Sequence, residues 1–296
     1  MKPSFIYSPH YYADIGAHVF PVEKYRLIRQ KLLDEKLLTE SDFLEPALPT
    51  REDLLLVHTK EYLDDLESLR FTPRTWRSEL PLSKEIVTAY ILSAGGTILT
   101  CLEALNKGRA VNIGGGFHHT FADHAEGFCY INDIAVGIRK MQKENRIKNA
   151  CVIDCDLHQG NGTANIFKND SSVFTFSIHQ ENLYPLKEKS DWDIGLDDFT
   201  GNEVYLEELE TAIPLILEKS KPELAVYVAG ADPYKEDQLG TLRLTIEGLK
   251  ERDRLVFEYC KKERISVAVV LAGGYAVNVL DTVTIHTNTC KAAMGM

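Results

Sequence analysis

The stretch Cys151-Val-Ile-Asp-Cys-Asp-Leu-His-Gln-Gly-Asn-Gly162 begins as an apolar run and ends in Asp154, Asp156, His158 and Asn161. An isolated buried charge is very costly, so carboxylates at the end of a buried strand need a compensating partner. Residues 154, 156 and 158 are spaced by two, which on an extended chain points their side chains to one side. Two carboxylates and an imidazole facing together at a strand's C-terminal end make a site for a divalent metal. The plain alternative is a solvated strand end with incidental acids. The apolar run before it argues against that.

Outward from this stretch, the same grammar repeats. Short strands are expected at Ser4 to Tyr7, Ala110 to Ile113, Lys148 to Asp154, Val173 to His179, Leu224 to Ala229 and Val267 to Leu271. Helical spacing covers Pro21 to Leu33, Glu61 to Leu69, Glu85 to Asn106, Asn132 to Asn145, Gly162 to Phe167, Leu206 to Lys219 and Gly248 to Lys262, with a closing helix after Tyr275. Alternating strands and helices, with strands that are continuous apolar runs, predict a parallel sheet buried on both faces. Ligands in such folds bind outside the C-terminal ends of the strands. The unusual polar clusters all follow strands: His118-His119, Asp154 to Asn161, Ser177 to His179, Asp232 and Tyr275. Sequence order alone therefore converges them on one sheet edge.

Composition sets the bounds. The 296 residues are 44% apolar and 26% charged, an ordinary globular mix. No repeat, low-complexity tract or flexible linker interrupts them, so a single domain over 1–296 is expected. The net charge of −11 and the lack of a basic stripe argue against a nucleic-acid surface. A cationic ligand suits an acidic surface better. No apolar run of membrane-spanning length is evident, and the N-terminus lacks a signal-peptide core. Six cysteines scattered in apolar segments fit reduced thiols in a cytoplasmic protein.

The chemistry of the cluster follows from its residue types. Asp156, His158 and Asp232 offer three protein ligands, which leave a zinc-like ion room for water and a substrate oxygen. Such an ion polarises a carbonyl and lowers the pKa of water. His118-His119, on the glycine-rich turn Gly114-Gly-Gly-Phe-His-His119, is suited to moving protons. Asp154 and Asn161 are candidates to orient the two imidazoles. Tyr275, after Gly273-Gly274, is a candidate phenol donor to an oxyanion. The glycine turns also suggest phosphate cradles, but no GxGxxG or GxxxxGK[ST] follows a strand. The irregular loop 71–82 and a polar loop holding His10 and His18 are further candidates for function.

Gly114-Gly-Gly-Phe-His-His119, Gly127-Phe-Cys-Tyr-Ile-Asn-Asp133, Asp154-Cys-Asp-Leu-His-Gln-Gly-Asn-Gly162, Gly230-Ala-Asp-Pro233 and Ala272-Gly-Gly-Tyr275, in this order, resemble the arginase–deacetylase superfamily. Within it the match is to the zinc-dependent histone deacetylases and their bacterial relatives, from about Tyr7 to about residue 285. Gln159 and Asn161, the loop Arg74 to Pro81 and the segment Asp232 to Gly240 look most like the class IV branch.

The resemblance implies a doubly wound α/β domain with a central eight-stranded parallel sheet. It implies one Zn2+ on Asp156, His158 and Asp232, and a structural K+ with Asp154, Asp156, His158, Ser177 and Ile178 at the matching positions. His118 and His119 become tandem catalytic histidines, with Asp154 and Asn161 behind them, and Tyr275 the oxyanion donor. Gly127 and Phe128 would line an acyl-lysine tunnel, with Phe117, Tyr184 and His18 as further substrate-contacting positions. The implied reaction is removal of an acyl group from a lysine side chain. A neutral Asn161 in place of a carboxylate would stabilise a protonated His119 less, so lower acid–base pKa values are expected than in class I enzymes.

Three alternatives remain. A binuclear manganese ureohydrolase needs more carboxylates than Asp232-Pro-Tyr234 and Gln159-Gly-Asn161 supply. A deacetylase of acetylpolyamines or another small acylated amine keeps the chemistry and changes the substrate. A catalytically silent binding module would have no need of the full ligand set.

Overall fold

Alternate residues of the central run face opposite ways. Cys151 and Ile153 pack into one hydrophobic core, and Val152 into a second. A strand buried on both faces must be apolar throughout, which is why this run does not alternate with polar residues.

The computed structural model describes residues 2–296. In chain order the elements are β1 (Ser4–Ile6), α1 (Lys24–Asp34), β2 (Phe43–Leu44), α2 (Arg51–Leu54), α3 (Lys60–Glu67), α4 (Lys84–Lys107), β3 (Arg109–Asn112), α5 (Asp133–Lys143), β4 (Ala150–Asp154) and α6 (Asn161–Phe167). They continue with β5 (Val173–Gln180), β6 (Trp192–Leu196), α7 (Asn202–Ser220), β7 (Leu224–Val228), α8 (Ile246–Lys262), β8 (Ser266–Val270) and α9 (Val279–Met294). The eight strands form one all-parallel sheet in the order β2-β1-β3-β8-β7-β4-β5-β6. Helices α4, α5 and α6 cover one face, and α1, α7, α8 and α9 the other.

Two strands escape the periodicity reading. β2 is two residues long, too short for a pattern. β6 is an edge strand whose residues alternate between half-buried and exposed up to the buried Leu196, and Asp193 within it and Asp191, Asp197 and Asp198 beside it read as loop. Both lie at the sheet's outer edges. Pro21 does not open α1, which starts at Lys24.

Helix α4 is long and apolar enough by composition to cross a membrane, contrary to the expectation that no such run exists. Its composition has another cause: two thirds of that window is buried inside the protein. Ser83 caps its N-terminus by accepting from Ile86 N–H, and Gly108 in the left-handed region ends it,. All six cysteines are free and buried.

The topology positions the site. β3, β8, β7 and β4 are consecutive neighbours at the centre of the sheet. Their C-terminal loops carry, respectively, His118-His119, Tyr275, Asp232 and the Asp154 to Asn161 stretch.

Candidate active site

β4 ends at Asp154, and residues 155–158 turn rather than continue the strand. These side chains therefore do not converge as alternate residues of an extended strand. The turn is instead tied by its own carboxylates: Asp156 N–H donates to Asp154 Oδ1 (3.1 Å) and His158 N–H to Asp156 Oδ1 (3.0 Å). Leu157 N–H donates to Asp232 Oδ1 at 3.0 Å, which brings the β7 loop against it.

Asp156, His158 and Asp232 each offer a ligand atom within 4.8 Å of the others, and all three are buried. His158 Nδ1 lies 3.3 Å from Asp156 Oδ1 and 3.2 Å from Asp232 Oδ2. Burial alone lowers the His158 pKa, but its hydrogen bonds to the two carboxylates outweigh this and push it up to about 10. Burial, with Asp156 adding to it, pushes the Asp232 carboxyl up to about 6. Two dry carboxylates side by side are a costly arrangement that a divalent cation relieves. The donor set of two carboxylates and one imidazole suits zinc with a position left open.

The histidines sit on the turn after β3. Asp133, the first residue of α5, holds that turn by accepting from Phe117 N–H (2.7 Å) and Gly116 N–H (3.0 Å). His118 Nδ1 lies 2.7 Å from Asp154 Oδ2, and His119 Nδ1 lies 2.8 Å from Asn161 Oδ1. The two Nε2 atoms face each other at 3.1 Å. Burial depresses His118, but the adjacent Asp154 and Asp156 carboxylates reverse the effect and push it up to about 9. His119 is held well below the usual imidazole range, chiefly by burial and then by the neighbouring His118 and His158. The hydrogen bond to Asn161 acts the other way, raising it, without offsetting burial. Gly160 carries no side chain for a spatial reason: a Cβ there would collide with Asp154 Oδ2.

Tyr275 is seated by two side chains that sequence reasoning missed. Its N–H donates to Asp237 Oδ2 (2.7 Å), and Gln238 Nε2 donates to its carbonyl (2.8 Å). Burial lifts its phenol well above the ordinary value, so the hydroxyl keeps its proton at neutral pH and can donate it.

A cavity of about 210 Å³ opens onto His119, His158 and Tyr275, walled by Gly127, Phe128 and Tyr184. Leu183, Leu239 and Glu79 complete it. Phe128 has φ of 63°, a strained conformation for a bulky residue. Loop 71–82 holds it there, with Ser78 O accepting from Phe128 N–H at 2.9 Å. His18 packs edge-on against Phe128 with ring centroids 4.6 Å apart, and so backs the wall. Phe117 lies outside the cavity lining: it is buried with its ring 4.3 Å from that of Tyr90. Ser177 and Ile178 follow Asp154's partner register on β5, where Asp154 lies opposite Ser177. Ser177 Oγ contacts His179 Nδ1 at 2.9 Å.

Three further residues support the site, and two of them, Lys24 and Arg252, lie outside every motif. Lys24, fully buried, donates from Nζ to Ala272 O at 2.6 Å and Gly273 O at 3.2 Å. Burial lowers it to about 8. Arg252 donates from Nη1 to Gly230 O at 2.6 Å and Cys155 O at 3.2 Å, clipping together the loops that bear Asp232 and Asp156. Gln159 donates to Glu188 O (2.6 Å) and Asp193 Oδ1 (2.8 Å), tying down the loop that supplies Tyr184. Only the helical spacing of α1 and α8 hinted that Lys24 and Arg252 face inward.

A family model described as the histone deacetylase domain matches residues 18–290. An uncharacterized protein of Picosynechococcus is 39% identical over 97% of this chain and 97% of its own length. Histone deacetylase 2 of Arabidopsis thaliana is 31% identical over 93% of this chain and 75% of its own. The crystal structure of an HDAC homolog from Aquifex aeolicus superposes with a TM-score of 0.85 at 25% identity, covering 100% of this chain and 84% of that one.

Proposed function

The chain belongs to the histone deacetylase family, and on that premise we propose that it is a zinc-dependent amidohydrolase that removes acetyl or longer acyl groups from the lysine side chain. Deacetylase activity and the eight-stranded α/β fold come with the family. The observation that carries the finer reading is a cavity onto which His119, His158 and Tyr275 open, with Asp156 and Asp232 grouped with His158 and His118 set against His119.

Asp156, His158 and Asp232 would hold the ion. When bound it supplies Lewis-acid polarisation of the amide carbonyl and acidifies water. The chain's own groups do the rest. The cavity between Phe128 and Tyr184 receives the apolar stem of the acylated amine. The His118–His119 pair takes a proton from the attacking water through Nε2 and returns one from His119 to the leaving amine. The Tyr275 hydroxyl donates to the oxyanion that develops on the carbonyl. Asp154 and Asn161 keep the imidazoles aimed. A structural K+ would draw on Asp154, Asp156, His158, Ser177 and Ile178, at the ends of β4 and β5. Six reduced, buried thiols support a cytoplasmic location.

Glu79 at the cavity wall favours a second reading, in which a small cationic acylated amine such as an acetylpolyamine is the substrate. A panel of acetyl-, octanoyl- and myristoyl-lysine peptides beside acetylputrescine separates the two. Faster turnover of an acyl-lysine peptide is expected; faster turnover of acetylputrescine would favour the polyamine.

A further inference from the structure

Asn161 can present either end of its amide to His119, because the oxygen and nitrogen ends have almost the same shape. Which end faces the ring decides where the His119 proton sits. With Oδ1 toward the ring, the contact at 2.8 Å requires Nδ1 to carry the hydrogen and leaves Nε2 an acceptor, facing His118 Nε2 at 3.1 Å. With Nδ2 toward the ring, Nδ1 must accept, and the proton moves to Nε2. A carboxylate at position 161 would have no such ambiguity, since it only accepts.

The second partner of Asn161 removes the ambiguity. Asn161 Nδ2 donates to Glu126 Oε1 at 2.8 Å. An ionised carboxylate has no hydrogen to donate, so it accepts only from the amide's nitrogen end. Glu126 is largely enclosed, with its side chain 18% exposed. Burial alone raises its carboxyl, but His124 Nε2 at 3.6 Å, the Asn161 amide and Arg77 Nη1 at 3.9 Å outweigh this and hold it below the usual carboxylate value, with Tyr184 Oη 3.4 Å away. Glu126 directly precedes Gly127-Phe128, so the cavity wall and this contact share one turn.

We propose that Glu126 is a positioning residue that locks the Asn161 amide with its oxygen toward His119, fixing the Nδ1–H tautomer of that histidine. Glu126 acts through Asn161 and touches no reacting atom. The inference rests on the reading of His119 as the proton carrier, and its test is built to fail separately from that reading.

The test has a spectroscopic and a kinetic arm. Nitrogen-15 NMR of histidine-labelled protein reports the tautomer of His119, assigned by its loss in His119→Ala. Nδ1–H is expected in the native chain, and a mixed or Nε2–H signal in Glu126→Leu. An unchanged Nδ1–H signal in Glu126→Leu overturns the proposal. In the kinetic arm, Glu126→Leu should lower kcat on an acetyl-lysine peptide by about 10- to 100-fold, the usual range for an outer partner, with KM and metal content unchanged. In an Asn161→Asp background the sign reverses. The carboxylate introduced there needs no locking and is repelled by Glu126, so Glu126→Gln should raise kcat in that background. Equal effects of Glu126 variants in both backgrounds would overturn the proposal. Full activity of His119→Ala would instead remove the mechanism on which it rests.

Discussion

His118 Nε2 and His119 Nε2 lie 3.1 Å apart while each ring's Nδ1 is engaged, by Asp154 Oδ2 and Asn161 Oδ1 respectively. Both of those partners accept, so both Nδ1 atoms carry hydrogen. Two bare Nε2 lone pairs would repel at this distance, so the pair is stable when one proton lies between them. The dyad thus holds one proton, with His118 favoured as the charged ring by Asp154 and Asp156 and His119 kept neutral chiefly by burial. His119→Ala and His118→Ala should each lower kcat by about 10² to 10⁴-fold with metal content unchanged. Retained turnover in either variant would remove that ring from the reaction.

Tyr275 is held by Asp237 and Gln238 through its backbone, so replacing its ring should not move the loop. Tyr275→Phe is expected to lower kcat on the order of 10²-fold, the scale of one oxyanion donor, while metal stays bound. An unchanged kcat would exclude the phenol as donor.

A proton and a metal compete for His158. Its pKa is pushed up to about 10 by Asp156 and Asp232, so at pH 7 the metal-free ring is protonated. Zinc must displace that proton, so binding at pH 7 should release about one proton per ion and tighten about tenfold per pH unit. Below about pH 6 the Asp232 carboxyl also takes up a proton, and the dependence should steepen. Calorimetry in buffers of different ionisation enthalpy measures the release. Affinity independent of pH between 6 and 9 would contradict the ligand assignment.

Arg252 and Asp253 form a fully buried pair, with Tyr227 and Thr289 also donating to Asp253. Arg252→Met leaves Asp253 uncompensated and frees the carbonyls of Gly230 and Cys155. A loss of about 3 to 5 kcal/mol is expected, read by denaturant unfolding, together with weaker metal binding. A variant with native stability would show that the two loops need no clip.

The fold was legible in the sequence wherever strands are buried on both faces. β4, β7 and β8 are unbroken apolar runs, and their polar endings already pointed to one sheet edge. β2 and β6 were not legible, because an edge strand has neither a continuous apolar run nor a long pattern. The site divides likewise. Asp156 and His158 stand out because their types are wrong directly after a buried apolar strand, and His118 and Tyr275 because they follow glycine-rich turns. Glu126, Lys24, Arg252 and Asp237 do not, since each looks like an ordinary charged residue until the chain folds. The turn after Asp154 shows that a correct grouping can come from the wrong geometry: the spacing of two collected Asp154, Asp156 and His158, but hydrogen bonds between turn and carboxylates bring them together.

The central claim is that one metal ion on Asp156, His158 and Asp232 is required for amide hydrolysis. The most direct measurement is hydrolysis of an acetyl-lysine peptide by the chain stripped with a chelator and then titrated with Zn2+. Turnover should vanish on stripping and return in full at one equivalent, and His158→Ala should neither bind the ion nor recover. Undiminished turnover by the stripped protein, or by His158→Ala, would contradict it.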